Sequence, residues 1–129
     1  MKKIVTSMMV MSIFSMSLYG YSTAERIADM QKMESAMAKI QKGILYNHQK
    51  MAMQGVDELK EASANVEVSP KGDMDYSAAF AKTQSDNIMK YADKIKGYME
   101  KNQKHAATTN YTKILKECAS CHNKLRKWN

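Results

Sequence analysis

The chain has 129 residues, 20 Lys+Arg against 13 Asp+Glu, and two cysteines. That length supports one domain with one core and excludes two. Two cysteines are too few for a disulfide framework, so the fold has to rest on its core.

The first residues, "MKKIVTSMMVMSIFSMSLYGYSTAER", place Lys2 and Lys3 before an apolar stretch from Ile4 to about Leu18. Small residues follow at Gly20, Ser22 and Ala24. This is the pattern of a secretory signal peptide, residues 1–20, with a cut as late as residue 24. At roughly 15 residues the stretch is short of the ~20 that a membrane span needs, so no stable membrane anchor is expected. The exported chain keeps 18 basic against 13 acidic side chains. Export to a periplasm makes nucleic acid an improbable partner; the charge suits an anionic protein surface or the membrane face.

Beyond the leader the apolar residues recur at spacings of three and four, which predicts helices. The first runs over about 22–44, with a face of Ile27, Met30, Met33, Met37, Ile40 and Ile44. Gly43 and Asn47 mark its end. The second, about 47–67, carries Ala52, Val56, Leu59 and Val66, and "VSPKGD" then supplies a loop. The third, about 76–101, carries Phe80, Ile88, Tyr91, Ile95 and Tyr98. Asn102 is a suitable N-cap for the fourth, about 103–127, with Tyr111, Ile114, Leu115, Cys118, Cys121, His122, Leu125 and Trp128. Helices of such length, ~30–37 Å at 1.5 Å per residue, predict an all-α antiparallel four-helix bundle over residues 22–129.

The fourth helix ends in "ECASCHNKLRKWN". Cys-x-x-Cys-His is the attachment motif for haem c. On one helical turn Cys118 and Cys121 project from nearly the same face, so both sulfurs reach the vinyl groups on one porphyrin edge. His122, four residues after Cys118, brings its imidazole under the same ring as an axial iron ligand. Covalent attachment also explains two exported cysteines that are not a disulfide. A thioredoxin-like pair belongs at a helix start after a strand, and no strand is visible. A zinc site needs four ligands and would have to recruit His48 or His105. The expected cofactor is therefore one covalently attached haem c, on the C-terminal helix. The seven residues after His122 contain no methionine, so any second axial ligand comes from upstream.

The segments "CASCHNKLR" and "RIADM" carry a resemblance to the class II c-type cytochromes, the cytochromes c prime and their low-spin relatives. It spans about residues 22–128 and implies a bundle with haem inside and attached to the last helix. Arg126 falls four residues after the histidine, as the family's Arg or Lys does. An arginine early in the family's first helix approaches a haem propionate, and the residue four positions later faces the distal side of the iron. Carried over, these are Arg26 and Met30. The run "MESAMAKIQKGILYN" resembles a short-chain subgroup of exported bacterial haem proteins. The loop between the second and third helices lacks the aromatic-rich insert of many members.

A thioether opposite histidine gives a six-coordinate electron carrier. Met30 is the expected sixth ligand, with Met33 one turn away as the fallback. The competing explanation is that Met30, Met33 and Met37 are pliable core packing. The expectation is a periplasmic monohaem electron carrier, not an enzyme, meeting periplasmic redox proteins. The alternative is a five-coordinate, nitric-oxide-binding protein of the cytochrome c prime kind, and a distant third is a haem-free helical module. His48 and His105 are expected at the surface, and Tyr111 and Leu115 as packing on the haem face. Lys113, Lys116, Lys124, Arg126 and Lys127 form a basic cluster that could steer an anionic partner. Homodimers are common in the family, through the first two helices, but no decisive apolar stripe marks one here.

Overall fold

A computed structural model describes residues 22–66 and 77–125, with Leu125 by its backbone alone. The leader, the "VSPKGD" loop, Arg126, Lys127 and Trp128 lie outside the described residues. Four helices occur there and no strand: α1 (Thr23–Leu45), α2 (Gln49–Val66), α3 (Ala78–Glu100) and α4 (Lys104–Leu125). Among the described residues no helix is long and apolar enough to cross a membrane.

The helix starts follow from local chemistry. Ser22 forms a capping box with Glu25: its Oγ accepts from the Glu25 N–H, and its own N–H donates to the Glu25 carboxylate at 2.7 Å. Ser77 caps α3 in the same way through Phe80 N–H. At the start of α2, His48 Nδ1 accepts from Met51 N–H at 3.1 Å, so the expected surface histidine is also a cap. His105 is exposed as expected.

The helix ends correct two expectations. Gly43 does not end α1, which continues to Leu45. Asn102 does not cap α4; it closes α3. Asn47 and Asn102 both adopt left-handed backbone, with φ of 58° and 56°. Around them His48 N–H bonds to the Gly43 carbonyl and Gln103 N–H to the Tyr98 carbonyl, each at 2.8 Å. These are Schellman-type terminations, in which asparagine is the non-glycine residue that best tolerates the left-handed position.

Three-residue links after α1 and α3 force antiparallel hairpins, and cross-helix contacts show the register. Lys39 pairs with Glu58 across α1–α2, while Lys60–Asp93 and Lys96–Asp57 tie α2 to α3. Exposed pairs contribute ~0–1 kcal/mol each, so they select register more than they stabilise. Beneath them Ser85 Oγ donates to the Ser63 carbonyl at 2.8 Å in the core. Among the described residues the helices pack in the cyclic order α1–α2–α3–α4 with no diagonal contacts, the arrangement of a four-helix bundle.

The core combines a few large aliphatics (Ile40, Leu59, Ile95 and Ile114, all fully buried) with many alanines. Burying each large side chain contributes ~1.5–3 kcal/mol. The small residues permit a close approach of α1 to α2. A Cβ on Gly55 would lie 2.7 Å from the Ala36 carbonyl oxygen, and one on Gly43 would lie 2.5 Å from the Ala52 nitrogen. Both partners are backbone and cannot give way. The α1–α4 seam is the sparsest contact between neighbours. Ile27, expected on the inner face of its helix, is 53% exposed instead, and Leu115, expected on the haem face of α4, is 46% exposed. Each lies on the flank of its helix that borders this seam.

Gly55→Ala should therefore lower stability by ~1–3 kcal/mol despite the better helix propensity of alanine. Gly97→Ala, where the added carbon meets nothing within 4 Å, should raise it by ~0.5–1 kcal/mol. Urea denaturation of both variants checks the pair; a shift of the same sign in each would contradict the close approach.

Candidate functional site

Cys118, Cys121 and His122 lie in the last two turns of α4. Both cysteines are free and half-buried, and His122 is exposed. Among the described side chains of α4 only Ala107, Asn110 and Ile114 are buried. Tyr111 and Cys118 pack only partly against the core. The helix that carries the motif is thus the least covered of the four, along the side where it meets α1.

The register across that side follows from one contact: Tyr111 OH reaches Gln41 Oε1 at 3.4 Å. Counting eleven residues back from Gln41 arrives at Met30, and eleven on from Tyr111 arrives at His122. Eleven residues are close to three whole turns, so Met30 keeps the face of Gln41 and His122 that of Tyr111. Met30 and His122 therefore lie on the facing flanks of these two antiparallel helices. Met30 is half-buried there, whereas Met33 is 7% exposed and turned to the core centre with Met37.

Arg26 is one turn before Met30 on the same face. Its Nη2 donates to Thr23 Oγ1 at 3.2 Å. Its Nε and Nη1 are buried and, among the described residues, have no hydrogen-bond partner. Leaving such donors unsatisfied costs ~1–3 kcal/mol. Buried guanidinium nitrogens of this kind match a carboxylate, which accepts from two of them side by side. Asp29 is occupied elsewhere: it is 4% exposed and accepts from Asn65 Nδ2 at 3.1 Å.

The opposite flank of α4 is fixed by a polar clamp that hydrophobic periodicity cannot signal. Glu117 accepts from Asn87 Nδ2 at 3.3 Å. With the Gln84 amide turned nitrogen toward it, Gln84 also donates to Glu117 Oε2 at 2.7 Å and to the Glu117 carbonyl at 3.3 Å. Lys113 over the Tyr91 ring and Lys124 over the Phe80 ring, at 5.6 and 4.4 Å, extend the same seam. The rotation of α4 that presents the motif toward α1 is thereby set from α3.

Burial is the main cause that pushes the Cys118 thiol up, with the neighbouring Cys121 adding to it; burial also pushes up Cys121. A dithiol oxidoreductase needs the reverse, a thiolate favoured by a helix N-terminus. Here the thiols sit at the C-terminal, negative end of a helix dipole. Among the described residues no three His, Cys, Asp or Glu side chains gather as a metal ion would require. The residues do fit haem c: two thiols and an imidazole on one turn, a thioether across the seam, and orphaned guanidinium donors beside it. No family model, curated protein or solved structure matches the chain.

The raised thiol has a measurable consequence. In a haem-free Cys121→Ser protein, Cys118 should be alkylated by iodoacetamide several-fold more slowly at pH 8 than an unfolded thiol, whose pKa is ~8.5. Stability linked to this thiol is fully present below the unfolded pKa and is lost as pH rises toward the higher folded value. Equal alkylation rates in the folded and urea-unfolded chain would contradict the burial argument.

Proposed function

We propose that this chain is a monohaem c-type cytochrome of the class II kind, exported to the periplasm, that carries electrons. The observation that carries this reading is the placement of Cys118-x-x-Cys121-His122 on the least covered helix, with Met30 on the facing flank of α1 across the sparse α1–α4 seam. Cys118 and Cys121 would hold the group through thioether bonds, and His122 would supply the proximal nitrogen. When bound, the haem iron supplies one-electron exchange, with a potential set by ligands and burial.

Every other contribution comes from the chain. Met30 offers a soft thioether, which favours the reduced iron over the oxidised. Arg26 offers Nε and Nη1 to a propionate and so satisfies two buried donors. Tyr111, Leu115 and Ile27 provide apolar cover from the flanks of the seam. The Glu117 clamp keeps α4 from rotating, and a rigid frame holds the ligand set alike in both oxidation states.

Absorption spectra of the exported protein, oxidised and reduced with dithionite, test the ligand assignment. Wild type should give sharp low-spin reduced bands and a weak far-red sulfur-to-iron band. Met30→Ala should lose the far-red band and become high-spin; Met33→Ala should keep it. A high-spin wild type that responds to nitric oxide, unchanged by Met30→Ala, would replace the carrier by the gas-binding alternative.

A further inference from the structure

The positive charge is not spread evenly over the bundle. Residues 22–66, which make the α1–α2 hairpin, hold six basic and six acidic side chains. Residues 77–125, which make the α3–α4 hairpin, hold nine basic and four acidic. Nor do those acids neutralise their surroundings. Asp86 is taken by Lys82, Asp93 is taken by Lys60 from α2, and Glu117 turns inward to Asn87. Only Glu100 remains, at the far end of α3.

The lysines left over form two stripes. On α3, Lys90, Lys94 and Lys101 recur at spacings of four and seven, on the side opposite the buried Ala81, Ile88 and Ile95. On α4, Lys113, Lys116 and Lys124 recur at spacings of three and eight and border α3. All six are exposed, and among the described residues none is in an ion pair. Like charges on one face repel and cost stability, and they also focus a potential that steers an oppositely charged partner.

We propose that the outer face of the α3–α4 hairpin is the docking surface for an acidic protein. The chemistry of the face selects this partner over a membrane. A helix that lies on lipid inserts apolar side chains between its lysines. The exposed large hydrophobics lie elsewhere: Ile27, Leu45 and Tyr46 on the first hairpin, and Leu115 on the α1 side of α4. The lysine face holds no exposed large hydrophobic; its half-buried rings, Tyr91 and Phe80, lie beneath Lys113 and Lys124, and each stripe extends over about 17 Å at 1.5 Å per residue. It shares α4 with the Cys118–His122 turn, so a docked protein rests against the helix that bears the motif. In that respect the inference rests on the proposed function and names the partner class for it.

Binding of dye-labelled poly-L-glutamate to the exported protein, read by fluorescence anisotropy across a salt series, tests this. Lys90→Glu/Lys116→Glu should weaken binding by about tenfold or more, while Lys42→Glu/Lys50→Glu, an equal charge change on the first hairpin, should weaken it by less than about threefold. Equal losses in the two variants would overturn the proposal, since net charge alone would then explain binding. Tighter binding to phosphatidylglycerol vesicles than to the polyanion would overturn it in favour of a membrane. The assay reads association and not colour, so its failure is separate from failure of the haem assignment.

Discussion

The close approach of α1 to α2 is the constraint from which the rest of the molecule follows. Gly43 against Ala52 and Gly55 against Ala36 bring two backbones nearer than any side chain larger than hydrogen would permit at those positions. A helix drawn to one neighbour moves off the other. The seam between α1 and α4 is accordingly the least filled, and the side chains along it, Ile27, Met30, Tyr111, Leu115 and Cys118, are half-buried or exposed. Interiors are ordinarily packed to the density of organic crystals. This seam is lined instead by a thioether, a phenol, a thiol and aliphatic side chains that their neighbours leave partly uncovered.

The second hairpin has a different division of labour. Its inner polar contacts, from Gln84 and Asn87 to Glu117, set the rotation of α4. Its outer face keeps the lysines that no ion pair among the described residues uses. One helix thus presents the motif to α1 on one flank and basic charge to solvent on the other. An isologous dimer through the first hairpin would leave that charged flank open, so docking and dimerisation need not compete.

How much of this could be read from the residues depends on how local each feature is. Helix existence was legible because large apolar residues recur at three and four, and the observed ends fall within one or two residues of those expected. The motif was legible because its five residues share one turn. Gly43 misled because glycine commonly ends helices, whereas here it is a contact surface for α2. Asn102 misled because asparagine suits both ends of a helix, and only its φ of 56° distinguishes them. Ile27 was placed on the inner face of its helix since periodicity reports a face but not how fully the neighbour covers it. That Met30 and His122 lie on facing flanks is read from a contact between residues 70 apart in sequence, Gln41 and Tyr111, and no local pattern carries it. The lysine stripe on α3 has no local signal, because lysines at spacings of four and seven on one helix look like any solvated face until the neighbouring helix is placed beside them.

The most direct measurement is the mass of the tryptic peptide Glu117–Lys124 from protein purified after export. The account predicts one peptide that carries a single haem through two thioether bonds, stable to acidified organic solvent. A peptide with two free thiols, or with an intramolecular disulfide, from cells that mature other c-type cytochromes would contradict it.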